Sequence, residues 1–130
     1  MKTLTILLAL TFSVMFSSTS FADWKRVSEG ASGTTYYVDF ESIRKHGGYV
    51  YFWSMSDSLN PDKDGDLSYK LYRQGDCNSF RYKILSHIYF KQQMGRGSPS
   101  IFNPTNPEWK YPSPDSVIGV VLKMVCAYAK

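Results

Sequence analysis

Little in this chain points to catalysis. It has two cysteines and two histidines in 130 residues, and neither His46 nor His87 has an acidic or cysteine neighbour at metal-ligand spacing. No serine sits in a nucleophile-elbow pattern, and no glycine-rich loop between strand and helix can cradle a phosphate. Asp39 and Glu41 stand two apart, but nothing implies the apolar pocket that would separate their pKa values for acid–base work. An enzyme, a cofactor and a bound metal are therefore not expected. Lys and Arg never cluster into a run, so nucleic acid is not an expected partner either. Long apolar stretches are equally scarce. Residues 4–16 form the single one, shorter than the roughly 20 apolar residues a membrane span needs.

That stretch has a different reading. Lys2 precedes it and Ser20-Phe21-Ala22 ends it with small residues at the two required positions, the pattern of a secretory signal peptide over residues 1–22, cut before Asp23. No cysteine lies near the cut, so a lipid anchor is not expected. The remaining 108 residues, 23–130, make one domain. A chain of that size buries a little over ~60% of its unfolded surface, an adequate but not generous core. Without Lys2 it carries 14 basic against 11 acidic residues, a mild net charge of +3. Export means the periplasm, the cell surface or the medium, and in an oxidising compartment two cysteines read as one disulfide. Cys77 and Cys126 would close a long loop, worth roughly 4 kcal/mol in chain entropy.

The secondary-structure signal is strongest over residues 67–90, two alternating apolar/polar runs joined across Gln74-Gly75-Asp76-Cys77-Asn78-Ser79. Alternation of that length means half-buried strands, and the Gly/Asp/Asn cluster means a hairpin loop. In the second run Phe80, Tyr82, Ile84, Ile88 and Phe90 fall on one face, with Arg81, Lys83, His87 and Lys91 on the other. Before it, residues 23–29 and 34–40 read as strands, and residues 40–45 as one helical turn capped by Asp39. Residues 49–55 form a central strand, with Tyr49, Tyr51, Trp53 and Met55 on one face and Val50 and Phe52 on the other. Ser113 as cap and Pro114 at the first turn predict a C-terminal helix. Val117, Val121, Met124, Val125 and Tyr128 recur at its spacing, with a final strand as the competing assignment.

Two loops stand out. Residues 60–66 resemble half of a calcium loop, with Asn60, Asp62 and Asp64 on ligand positions and Gly65 at the turn. The twelfth position, however, falls on Leu71 instead of a glutamate. The same residues are those of a solvated hairpin loop, which is the favoured reading. Residues 92–114 hold five of the six prolines together with Phe102, Trp109 and Lys110. Such a stretch either presents aromatic and basic groups to a partner or folds Trp109 and Phe102 back onto the sheet.

In order, Asp23-Trp24, Tyr36-Tyr37-Val38-Asp39 with Ser42-Ile43-Arg44, the Val50 to Trp53 strand, Ser68-Tyr69-Lys70 leading to Asp76-Cys77, Trp109 before Pro114-Asp115-Ser116, and Val125-Cys126 resemble the surface-adhesin protein E family of exported bacterial proteins. The resemblance implies an α+β fold: an antiparallel sheet of about six strands, with the C-terminal helix packed on it and tied by the cysteine pair. It also implies dimers and adhesion to host extracellular-matrix or plasma proteins. The expected function is thus non-enzymatic binding of a protein partner. Candidate contacts are Arg81, Lys83, His87 and Lys91 on the hairpin, with Phe102, Trp109 and Lys110 on the loop. The alternative is a soluble periplasmic accessory or structural protein with no host ligand.

Overall fold

Alternating β-branched and aromatic residues become strands at every place where the sequence shows them. The computed structural model describes residues 22–130, so residues 1–21 of the expected signal peptide lie outside the described residues. Seven strands form one antiparallel sheet: β1 (Trp24–Glu29), β2 (Thr35–Asp39), β3 (Arg44–His46), β4 (Tyr49–Asp57), β5 (Ser68–Asp76), β6 (Arg81–Phe90) and β7 (Ser100–Phe102). A helix, α1 (Val117–Tyr128), follows, the one α-helix among the described residues. The order across the sheet is β1-β2-β4-β5-β6-β7, and β3 pairs with the end of β4 that β2 leaves free.

The pleat sorts side chains between two faces. Val38, Val50 and Phe52 point to one side, where Val121, Leu122 and Val125 of α1 meet them in a buried cluster. Gly75 makes the close approach possible: a Cβ there would lie 2.9 Å from a Val50 methyl and 3.0 Å from a Leu122 methyl. Cys77, just beyond β5, is bonded to Cys126 of α1 with Cα atoms 5.8 Å apart, so the hairpin loop and the helix are one covalent unit.

Four details depart from the sequence reading. Arg44–His46 is a strand (β3), and only Phe40–Ser42 makes a helical turn, of the tighter 3₁₀ kind. Asp39 gives that turn no side-chain cap; instead Ser42 Oγ donates to the Asp39 carbonyl at 2.9 Å. The helix starts at Val117, with Ser116 as the cap that accepts from Gly119 N–H at 3.1 Å, while Ser113 and Pro114 form the preceding turn. The largest departure is a β-bulge. Tyr72 pairs with Ser86 and Arg73 with Ile84, which leaves Leu85 as an extra residue in β6. An extra residue reverses the alternation beyond it. Arg81 and Lys83 therefore share a face with Ile88 and Phe90, and His87 stands on the opposite face with Tyr82 and Ile84, contrary to the expected row.

Candidate functional site

The face of the sheet away from α1 is built from the odd positions of β4 and the even positions of β5. Tyr51 lies opposite Gln74, Trp53 opposite Tyr72 and Met55 opposite Lys70. Large side chains in register stack: Trp53 and Tyr72 have ring centroids 4.8 Å apart, and Tyr51 and Tyr72 6.3 Å. Lys70 reaches across to the Trp24 ring at 5.6 Å.

The 92–114 segment closes this face at both ends. At one end, Gln93–Gly95 makes a 3₁₀ turn over Met55 and Lys70. There Met94 N–H donates to Asp57 at 2.7 Å and Gly95 N–H to Ser68 Oγ at 2.9 Å. Then Ser100–Phe102 adds β7 to the β6 edge, and Lys110 pairs with Tyr82 by two backbone bonds of 3.0 and 2.8 Å. The stretch is thus an edge strand interrupted by an excursion, which its prolines permit because an outer edge needs no donor.

Pairing at Lys110 turns Trp109 onto the face away from α1. Its ring lies under the Arg81 guanidinium at 4.1 Å and the Lys83 ammonium at 4.5 Å, and 5.5 Å from the Tyr49 ring. Asp76 fixes Arg81 through Nε at 2.8 Å and also accepts from Ser79 N–H at 3.3 Å. The hydrogen bond from Arg81 holds the Asp76 carboxyl below its ordinary value, and the same contact raises Arg81. Lys70 and Lys83 make no ion pair among the described residues. Between the two closed ends, Trp24, Trp53, Lys70 and Ile88 line a cavity of about 470 Å³. One buried oxygen there, Oδ1 of Asp39, has no hydrogen-bond partner.

The seven residues expected to bind thus fall into three groups. Arg81, Lys83 and Trp109 come together on the open face. His87, Phe102 and Lys110 stand on the other side at the β6 edge: the His87 ring is 5.8 Å from Phe102, which is 57% exposed. Burial, then Arg73 and Lys110, lower the His87 pKa. Lys91 is engaged elsewhere, with its ammonium on Asp66 at 2.9 Å and on the Asp64 carbonyl at 2.6 Å.

That contact bears on the acidic loop. The carboxylates of Asp62, Asp64 and Asp66 lie within 4.8 Å of one another. Asp62 accepts from the N–H groups of Asp64 and Asp66, each at 2.9 Å, which is how Asp shapes a turn. Trp24, Trp53, Tyr72 and Lys70 were not among the expected site residues. The row Tyr49, Tyr51, Trp53 was visible, but a central strand with apolar residues on both faces reads as covered on both.

The same architecture occurs in solved structures. A crystal form of Haemophilus influenzae protein E superposes with a TM-score of 0.65 at 17% identity, covering 86% of this chain and 94% of that one. Protein E from non-typeable Haemophilus influenzae gives 0.57 at 16% identity, covering 85% and 79%. At such identity the likeness is one of fold. No sequence among curated proteins matches the chain. The family model for surface-adhesin protein E matches residues 24–127, which takes in the sheet, the disulfide and nearly all of α1, and the chain belongs to that family.

Proposed function

We propose that this protein is exported and acts, without catalysis, by attaching to a protein partner through the open face of its sheet, the partner being a host matrix or plasma protein. The observation that carries this is the Trp109 ring in contact with both Arg81 and Lys83. Tryptophan and arginine are among the residues most enriched in binding hot spots, and Asp76 already holds the Arg81 side chain in place. Lys70 and Lys83, without acids of their own, favour a partner segment that supplies carboxylates among apolar groups. The residue 1–22 pattern supports export, and membership of an adhesin family supports a location at the cell surface. The resemblance also implies dimers, and sedimentation of the purified protein reads that directly.

The test has two arms. Proteolysis of intact cells removes the protein if it is on the surface; cleavage only after the outer membrane is permeabilised favours the periplasmic accessory role. Binding of the purified protein to immobilised matrix and plasma proteins is then measured for wild type, Trp109→Ala and Lys83→Glu. The expected loss is tenfold or more, corresponding to ~1.4 kcal/mol or more at a hot spot. Equal binding by wild type and both variants would remove the open face from the reading.

A further inference from the structure

The helix side holds a cavity of its own, about 240 Å³, between the start of α1 and strands β2, β4 and β5. Leu71, Val117 and Val121 give it an apolar wall, and Tyr36, Tyr69 and Ser54 line the other. Arg73 brings a full positive charge. It is 8% exposed; its Nη1 donates to Ser54 Oγ, its guanidinium lies 5.4 Å from the Tyr82 ring centre, and its buried Nε–H has no acceptor.

Such an arrangement is costly. A buried cation is ordinarily matched by an acid, and an unpaired buried donor opposes folding. No carboxylate pairs with Arg73 among the described residues. Burial brings its pKa down to about 10, opposed only by Tyr82 and Tyr69, and a guanidinium in that range stays charged at neutral pH. The positive end of the α1 dipole is here as well: Ser116 caps Gly119, while Val117 and Ile118, which line the cavity, have N–H groups outside the helix's own bonding. Burial also raises the Tyr36 pKa, so its hydroxyl remains a donor.

We infer that this cavity binds a small monocarboxylate, its carboxylate paired with the Arg73 guanidinium and accepting from lining hydroxyls, and its short apolar body lying against Leu71, Val117 and Val121. One buried cation matches one negative charge. A phosphate dianion would leave a second charge unmatched in a low-dielectric site, and the apolar wall would meet nothing on an inorganic anion. The volume falls below the ~300–1,000 Å³ of drug-sized pockets, which limits the ligand to a small acid. The site is on the opposite side of the sheet from Trp109 and does not depend on the adhesive reading.

The experiment follows arginine Nε–H signals by NMR in the purified exported protein, titrated with benzoate, butyrate and inorganic phosphate. The Arg73 signal, identified by its loss in Arg73→Lys, is expected to shift and saturate with a carboxylate. Affinity, read from a ligand-induced rise in melting temperature, should fall at least tenfold in Arg73→Lys and about threefold in Tyr69→Phe. Three results overturn the inference: no carboxylate moves the Arg73 signal at tens of millimolar, Arg73→Lys binds as wild type does, or phosphate saturates the signal as readily as benzoate. Should Arg73→Lys not fold, Tyr69→Phe and Ser54→Ala identify the perturbed signal and carry the same comparison.

Discussion

Phe52 and Trp53 are neighbours in β4 and are held in opposite ways. Phe52 is fully buried, enclosed with Val38, Val50 and the valines and leucine of α1. Trp53 is half-buried, stacked on Tyr72 at 4.8 Å and flanking a cavity that also takes in Lys70. Around Phe52 the helix side is an apolar core, with the buried Arg73 at its margin. The far side is made of rings and cations that satisfy one another while keeping surface exposed. One pleated strand thus serves two layers: the even positions of β4 pack on the α1 side, while Tyr49, Tyr51 and Trp53 keep part of their surface exposed on the far side.

Phe52→Ala is the most direct way to break this contrast. It leaves a cavity under α1, and the expected loss is about 4 kcal/mol by denaturant unfolding. Trp53→Ala should cost about half as much, because part of the ring is already solvated; equal losses would mean the two faces share the core function. The disulfide comes next. Replacing Cys77 and Cys126 by Ser removes a link across 49 residues, with an expected loss of about 4 kcal/mol. If the unfolding free energy falls by less than a third of that, α1 is held by packing alone.

How much of this was legible in the sequence depended on whether the signal was local. Alternation located β4, β5 and β6, and the compartment together with the cysteine count gave the disulfide, because each rests on residues close in sequence or few in number. The bulge at Leu85 left no such trace. Both apolar phases are filled around Ile84, Leu85 and Ile88, so the reversal that moves His87 to the other face is decided by pairing with β5. The three-residue β7 and Lys110 likewise join the sheet only because the β6 edge is available. Arg73 does carry a local signal. It continues the series Tyr69, Leu71 on the face turned toward α1, and a charge at an inward position of an alternating strand marks a buried polar group to be explained.

Acid sharpens the contrast with the smallest expected effect. The open face is held partly by charge, since Asp76 anchors the Arg81 that covers Trp109, whereas the Phe52 cluster contains nothing that titrates. Asp76 has a folded pKa below its unfolded one, near 3.9. A depressed carboxylate stabilises the fold fully above the unfolded value, and the contribution disappears as pH falls through the folded value. Asp76→Asn should therefore lower the melting temperature at pH 7 and flatten its fall below about pH 4, so that the wild-type and variant curves converge in acid. Tryptophan fluorescence followed over the same range reports whether Trp109 loosens as Arg81 is released, ahead of global unfolding. Parallel curves for wild type and Asp76→Asn would show that Arg81 keeps its place over Trp109 by cation–ring attraction without help from the carboxylate.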